Sequence, residues 1–452
     1  LLVILLFAAG AFHWILFLHY GDLGFKAHDW GKEFIYYSLI KQSLGSGQVP
    51  YHISLAFHGT PRFLALPETN LSPQVLMLAF MGVGRFVLAN TLILYSVGFL
   101  GCLLLRKRYG LSIVPFAVFF LVFNFNGHIT AHLGVGHSMW AGYFFLPLFF
   151  LFLLELIEER PKRTTPFKLA FIMFAILLQG AFHIFVWCMT FVILVLIFNW
   201  RLLKPVLLSI VSAVLLSAFR LVPAMFALLG KKEKFIWSYP TIRDLFDALI
   251  TIRQQTPDRL MPWGTAGWWE YDVYIGIIAL AAIVYLGIYL RFSKRQDLED
   301  VRFGALDMPI FIMALFSLSY FHAFLTRIPL PLLRSERVAT RFIIIPILLL
   351  LLFAAIRLER LLRGVARTTR FIILGAGTLA VMSLGFLDHS FLWSVARLER
   401  IHASKIVDLT IPRIVSQPDA LYKGLVWAGA GVTVATAVVL LILIRRHHHQ
   451  SA

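Results

Sequence analysis

Four ionisable side chains stand close together in the stretch Asp22–Pro50: Asp22, His28, Asp29 and Glu33. Carboxylates and an imidazole gathered in one short polar segment suit proton transfer, because each can hold or release a proton within reach of a bound hydroxyl. Asp29 is the strongest candidate for a reacting carboxylate, and His28 and Glu33 are candidates to line the same site. The structural alternative is that Asp29 caps the helix that follows it. A second group is His128, His132 and His137 in GHITAHLGVGH. His128 and His132 are spaced to hold a metal if that stretch is helical. Gly127, Gly134 and Gly136 favour a loop instead, which makes a polar lining the better reading and leaves a divalent metal allowed but not favoured. His137 is expected near Asp29, helping to place an acceptor.

The elements that must position these residues are membrane spans. The chain has 452 residues, of which 60% are hydrophobic and 14% charged, and its mean hydropathy is +0.82. Soluble domains carry about 25% charged residues, so this is an integral membrane protein, all-α and polytopic. Apolar runs at Leu1–Leu18, Ser72–Leu105, Ser112–Phe125, Met139–Leu154, Pro205–Leu229, Val273–Leu290, Met308–Leu325, Phe342–Ile356, Phe371–Leu387 and Gly424–Ile444 read as spans, the first too long for a signal peptide. Phe167–Trp200 reads as two short spans with a hairpin at Gln179-Gly180. About twelve spans then form one membrane domain over residues 1–452 with no separate soluble domain.

A net charge of +18 would suit a nucleic-acid partner if the cations lay on one patch. They fall instead in short clusters between spans (Arg106-Lys107-Arg108, EERPKR, RFSKRQ, RLERLLRGVARTTR), as orientation signals do, so no nucleic acid is expected and membrane lipid is. With those clusters and both termini cytoplasmic, the long loops at residues 20–71, 230–272 and 388–423 fall on the extracytoplasmic face, and a bacterial inner membrane is the expected location. Cys102 and Cys188 lie in apolar runs and form no disulfide framework.

Within the first loop, DWGKEFIYYSLIKQSL lacks Pro and predicts an interfacial helix with Asp29 at its N-cap, Asp29, Glu33, Tyr36 and Ile40 on one flank and Lys32 on another. GSGQVP ends it. Thr241–Gln254 predicts an amphipathic helix with Leu245, Leu249 and Ile252 on one side. Met261–Tyr274 is rich in Trp and Tyr and reads as an interfacial belt, or as a stacking surface for a sugar. Inside the spans, Arg85, His183 and Arg220 are each expected to face the bundle interior.

A first span, a loop with Asp29-Trp30, a helix, G-x-V-P at Gly47–Pro50 and N-L-S-P at Asn70–Pro73 together resemble the GT-C superfamily of membrane glycosyltransferases. Phe125–Trp140 and Arg334–Phe342 also resemble bacterial YfhO-like membrane proteins. The resemblance covers most of the chain in architecture and rests on the order of short motifs. It implies transfer of a sugar from a polyprenyl-phosphate-linked donor to a lipid, glycan or protein acceptor, with Asp29 at the position of the general base. The leaving phosphate would need cationic donors, for which Arg334, Arg337 and Arg341 are candidates on one helix face, with Arg220 a further one. Snorkelling at a span end, or a structural ion pair for Arg220, is the alternative. Glu68, in PETNLSP, is a second acid or a helix cap. The paired acids of some GT-C enzymes are missing here, since Asp22 and Asp29 stand seven residues apart, so a metal-independent, inverting mechanism is expected. The rival readings are a transporter or flippase for a lipid-linked substrate, and a non-catalytic scaffold.

Overall fold

Inside a bilayer the peptide groups find no water, so apolar runs must satisfy their hydrogen bonds within helices. The computed structural model describes residues 1–57, 60–158, 161–228, 237–253, 267–293, 303–325, 327, 336–363, 369–402 and 409–449, and helices dominate it. The first half comprises α1 (Leu2–Phe17), α2 (Trp30–Ser46), α3 (Val83–Tyr109), α4 (Ile113–Phe125), α5 (Gly127–Gly134), α6 (Leu146–Leu156), α7 (Thr165–Leu178), α8 (Phe182–Phe198), α9 (Leu203–Leu216) and α10 (Ala218–Leu228). The second half adds α11 (Ile242–Ile250), α12 (Gly276–Ala282, continued by a π-turn over Ile283–Tyr289), α13 (Asp307–Phe316), α14 (Ser319–Leu325), α15 (Ile344–Arg363), α16 (Thr369–Trp393), α17 (Val395–His402) and α18 (Ala420–His449). A small antiparallel sheet is the exception to the all-α expectation: β1 (His52–Phe57) pairs on one side with β2 (Thr60–Arg62) and on the other with β3 (Ile414–Val415).

Among the described residues, six helices are long and apolar enough to cross a membrane, or seven if the bent pair Phe182–Phe198 and Trp200–Leu216 is one span. Five further apolar helices are shorter, Leu2–Phe17 and Thr165–Leu178 among them. Length alone therefore counts fewer full spans than the twelve expected, although the hairpin within Phe167–Trp200 is present. It turns at Gly180, whose φ is +78° and where a Cβ would strike the Glu68 carbonyl, so only glycine fits.

The helices alternate in direction and sort the polar groups into two ends. At one end Arg108 bonds Glu155 and Glu158, the backbone N–H of Ser112 donates to Glu359 at 2.7 Å, and Arg363 pairs with Glu359 at 3.3 Å. Chain direction along α3, α5, α6, α7, α8 and α15 then brings Gly84, Gly134, Ser138, Leu178, His183 and Arg341 to the other end, together with α2. Between the ends lies one continuous core of aromatic and aliphatic side chains.

Three local expectations need correction. The stretch GHITAHLG is a buried helix and not a loop, because the Asn126 side chain caps it, accepting from Ile129 N at 3.3 Å. Its glycines serve close packing, since a Cβ at Gly127 would meet the Asp272 carboxylate and one at Gly134 the Trp393 carbonyl. Helix α2 does not lie open on the interface: Trp30, Gly31, Glu33 and Ile35–Ile40 are buried, and exposure begins at Lys41. Arg85 sits exposed in the first turn of α3 instead of facing the interior.

Candidate active site

Two buried elements hold the start of α2. The Asp29 N–H donates to Val135 O at 3.0 Å, and Trp30 Nε1 donates to Gly134 O at 2.9 Å, so the end of α5 fixes the position of the predicted carboxylate. Gly136, at φ +91°, lets the chain pass against the Asp29-Trp30 backbone. His28 itself has φ +49°, a conformation costly for a bulky side chain that persists where the surroundings impose it. The His28 ring is exposed and meets Trp269 edge-on, with centroids 5.0 Å apart.

Asp29 occupies the N-cap position of α2, yet its side chain makes no capping hydrogen bond. It turns outward to a cluster. Oδ2 lies 3.2 Å from His137 Nε2 and 3.3 Å from Lys32 Nζ. Oδ1 has no partner among the described residues, and the side chain is 49% exposed. Lys32 also reaches Glu68 Oε2 at 2.9 Å and Glu33 Oε1 at 4.0 Å. One ammonium thus serves three carboxylates. The expectation that Lys32 lies away from Asp29 is corrected by the i, i+3 spacing, which brings two helical neighbours onto one face.

The two acids on α2 are tuned in opposite directions. Burial pushes the Asp29 carboxyl upward, but the hydrogen bond and charge of His137 and the charge of Lys32 outweigh it and hold the group well below its ordinary value. Water at the half-exposed carboxyl screens part of this. Glu33 is 2% exposed, and burial pushes it up to about 7 against the pull of Lys32 and of the Ser138 hydroxyl that donates to it. Burial works to lower Lys32, and its three carboxylate neighbours raise it well above the usual lysine range. The site therefore holds an ionised, accessible carboxylate beside a buried one that is protonated over much of the acid range.

A second layer surrounds this cluster. His183 Nδ1 bonds Glu336 Oε1 at 2.6 Å, and its Nε2 lies 3.9 Å from Glu68 Oε1, while Trp187 Nε1 donates to Glu336 Oε2 at 2.9 Å. Arg341 grips Glu270 with two bonds of 2.8 Å and lies over the Trp140 ring at 4.7 Å. Arg220 donates to four backbone carbonyls, those of Leu64, Leu66, Pro67 and Thr69, at 2.8 to 3.3 Å, and so clamps the segment that carries Glu68.

The structure thus brings Asp29, Glu33, Glu68 and His137 into one cluster, with His28 at its edge. Arg220 and Arg341 are buried and engaged by protein groups, and Arg337 is half-buried beside the bridge between Trp237 and Val338. Arg334 lies outside the described residues. Arg337 and Arg341 do not share a helix face, because Val338 is extended and the turn at Ala339–Ile343 is 3-10. Of Met261–Tyr274, the described part buries Trp268, Tyr271 and Tyr274, so those rings pack within the protein and form no surface belt. Sequence reasoning missed Lys32, Glu270 and Glu336. The i, i+3 spacing to Asp29 could have found the first, but nothing local marks the other two.

Among the described residues no group of three or more His, Cys, Asp or Glu side chains is placed to hold a metal ion. Comparison of the chain with protein-family models, curated proteins and solved structures gave no match.

Proposed function

We propose that this chain is a membrane glycosyltransferase that moves a sugar from a polyprenyl-phosphate carrier to an acceptor hydroxyl at the extracytoplasmic face, with inversion and with Asp29 as general base. One observation carries the reading. Asp29 is pinned through Oδ2 by His137 and Lys32 while Oδ1 is left open at an exposed end of the bundle. A base must be fixed in place yet able to reach the proton it removes.

A carboxylate held below its ordinary range is a weak base, and the acceptor itself corrects this. When the hydroxyl displaces water from Oδ1, burial of the carboxylate grows and its affinity for a proton rises toward that of the hydroxyl it activates. The nucleophile then attacks the anomeric carbon from the face opposite the departing phosphate. That phosphate leaves as an anion and needs charge stabilisation, with no general acid. Lys32 stands 3.3 Å from Asp29, and Arg337 stands on the segment entering the 3-10 turn of Arg341.

A few isoprene units of such a donor would fit one apolar cavity. A cavity of about 290 Å³ lined by Ile40, Leu44, Tyr51, Leu64, Phe219 and Trp427 lies between α2, the segment before Glu68, α10 and α18. It shares α2 and that segment with the carboxylate cluster, and its apolar walls suit an isoprenoid chain.

The test is transfer by the purified protein in liposomes, with labelled polyprenyl-phosphate hexoses and pentoses offered singly. Transfer in the wild type and its loss in Asp29→Asn, with donor binding retained, is the expected result. Undiminished transfer in Asp29→Asn would overturn the role of Asp29. Movement of an intact lipid-linked sugar across the bilayer, without transfer and regardless of Asp29, would establish the transporter reading instead.

A further inference from the structure

Behind Asp29 the hydrogen bonds continue inward. His137 Nε2 faces the Asp29 carboxylate at 3.2 Å, and His137 Nδ1 faces His132 Nδ1 at 2.8 Å. An ionised carboxylate only accepts, so the proton of the first contact belongs to His137 Nε2. In the neutral form of His137, the form to which the inference applies, the imidazole carries one proton and Nδ1 is bare. The proton of the second bond must then come from His132 Nδ1.

The environment of His132 agrees with that assignment. Its Nε2 is buried and meets no hydrogen-bond partner among the described residues. With the proton on Nδ1, the stranded atom is a lone pair. Reversing the second bond would put the proton on His132 Nε2 and strand a donor, the rarer and costlier defect in protein interiors. The His132 ring is held flat against Trp140, with centroids 4.3 Å apart and planes at 30°, and Trp140 is itself tied to His128 Nε2 at 3.0 Å. His132 therefore cannot swing away from His137 without breaking a buried aromatic stack.

We infer that His132 is a positioning residue: it locks His137 into the Nε2–H tautomer, so that Asp29 always meets a donor at Oδ2 and presents Oδ1 outward. This deepens the proposed role of Asp29, and its physical content can be read without any substrate.

The experiment is ¹⁵N NMR of the full chain in lipid nanodiscs with labelled histidine, assigned with the variants His132→Phe, His132→Asn and His137→Gln. The wild type is expected to show a protonated Nδ1 on His132, a bare Nδ1 on His137 and a scalar coupling between the two nitrogens through the hydrogen bond. His132→Phe leaves the Asp29 carboxylate alone to hold the tautomer, so a fraction of His137 with its proton on Nδ1 should become detectable. His132→Asn, whose amide N–H stands where Nδ1–H was, should restore the single tautomer. A proton found on His137 Nδ1 in the wild type, or a His137 tautomer unchanged in His132→Phe, would overturn the inference. If His132→Phe does not fold, the wild-type spectrum and His132→Asn still decide it. Failure of sugar transfer leaves these readouts intact, so the two readings fail separately. With a donor and acceptor that turn over, His132→Phe should lower kcat about tenfold with KM little changed, and His132→Asn should recover it. Equal losses in both variants would reduce His132 to a packing role.

Discussion

Two carboxylates one helical turn apart, Asp29 and Glu33, differ because one faces water and cations and the other is enclosed. If Asp29 is the base, Asp29→Asn should lower kcat for transfer by at least about 100-fold, the usual scale for losing a positioned base. The same variant should bind the donor within a few-fold of wild type in a flotation or fluorescence assay. Glu33 gives a prediction in stability. Its carboxyl is raised from 4.5 to about 7 in the folded state, so between those values the folded protein binds more protons than the unfolded chain. Stability from this group is intact below pH 4.5 and falls as pH rises toward 7. Glu33→Gln removes that loss and should gain up to about 3 kcal/mol relative to wild type across the window, read as thermal unfolding in detergent against pH. A gain that shrinks with rising pH would contradict the burial argument. Asp29 works the other way, since its depressed carboxyl stabilises above its ordinary range and loses this as pH falls.

At the scale of elements, the segment Leu64–Thr69 depends on one guanidinium and one glycine. Arg220 donates to four carbonyls; Leu66 O also accepts from the Thr69 N–H, so removing the guanidinium takes its donor from the other three, of which those of Leu64 and Thr69 belong to buried residues. Arg220→Ala should cost about 3 kcal/mol and loosen Glu68. Arg220→Lys should fail to restore the segment, because one compact ammonium cannot span four acceptors. Gly180→Ala adds a Cβ against the Glu68 carbonyl at a φ of +78° and should destabilise by about 1–3 kcal/mol. Proteolysis at 64–69 would report both variants, and resistance equal to wild type in Arg220→Ala would show that the clamp is dispensable. The helix α2 was readable in advance from its Pro-free run and Gly-rich exit. Its burial was not, because its apolar residues form no clean stripe and the surfaces it packs on, the turn Pro73–Ala79 and α3, come from later in the chain.

For the whole molecule, the two polar ends make opposite predictions of sidedness. If the basic end at Arg106–Arg108 is cytoplasmic, a single cysteine at Ser46 should react with an impermeant maleimide from outside, and one at Lys107 only after permeabilisation. Cys102 and Cys188 are buried and free, so background labelling is low. Labelling of Lys107→Cys from outside would invert the proposed orientation and with it the face of the carboxylate cluster.

Composition and apolar runs determined that this is a helical membrane protein, because a bilayer accepts long apolar segments only with their backbone bonds closed internally. Asp29, Glu33, Glu68 and His137 were also legible as residue types that do chemistry, each in a polar gap between apolar runs. Tertiary structure alone decided their company. Lys32 joined three carboxylates because Glu68 is folded back by Arg220, and Arg341 met Glu270 across seventy-one residues of chain. It also decided that GHITAHLG is a helix, since its glycines answer to Asp272 and Trp393, neighbours far away in sequence. Local pattern records what a segment can do in isolation, whereas an ion pair or a close approach between helices depends on which distant surface arrives opposite.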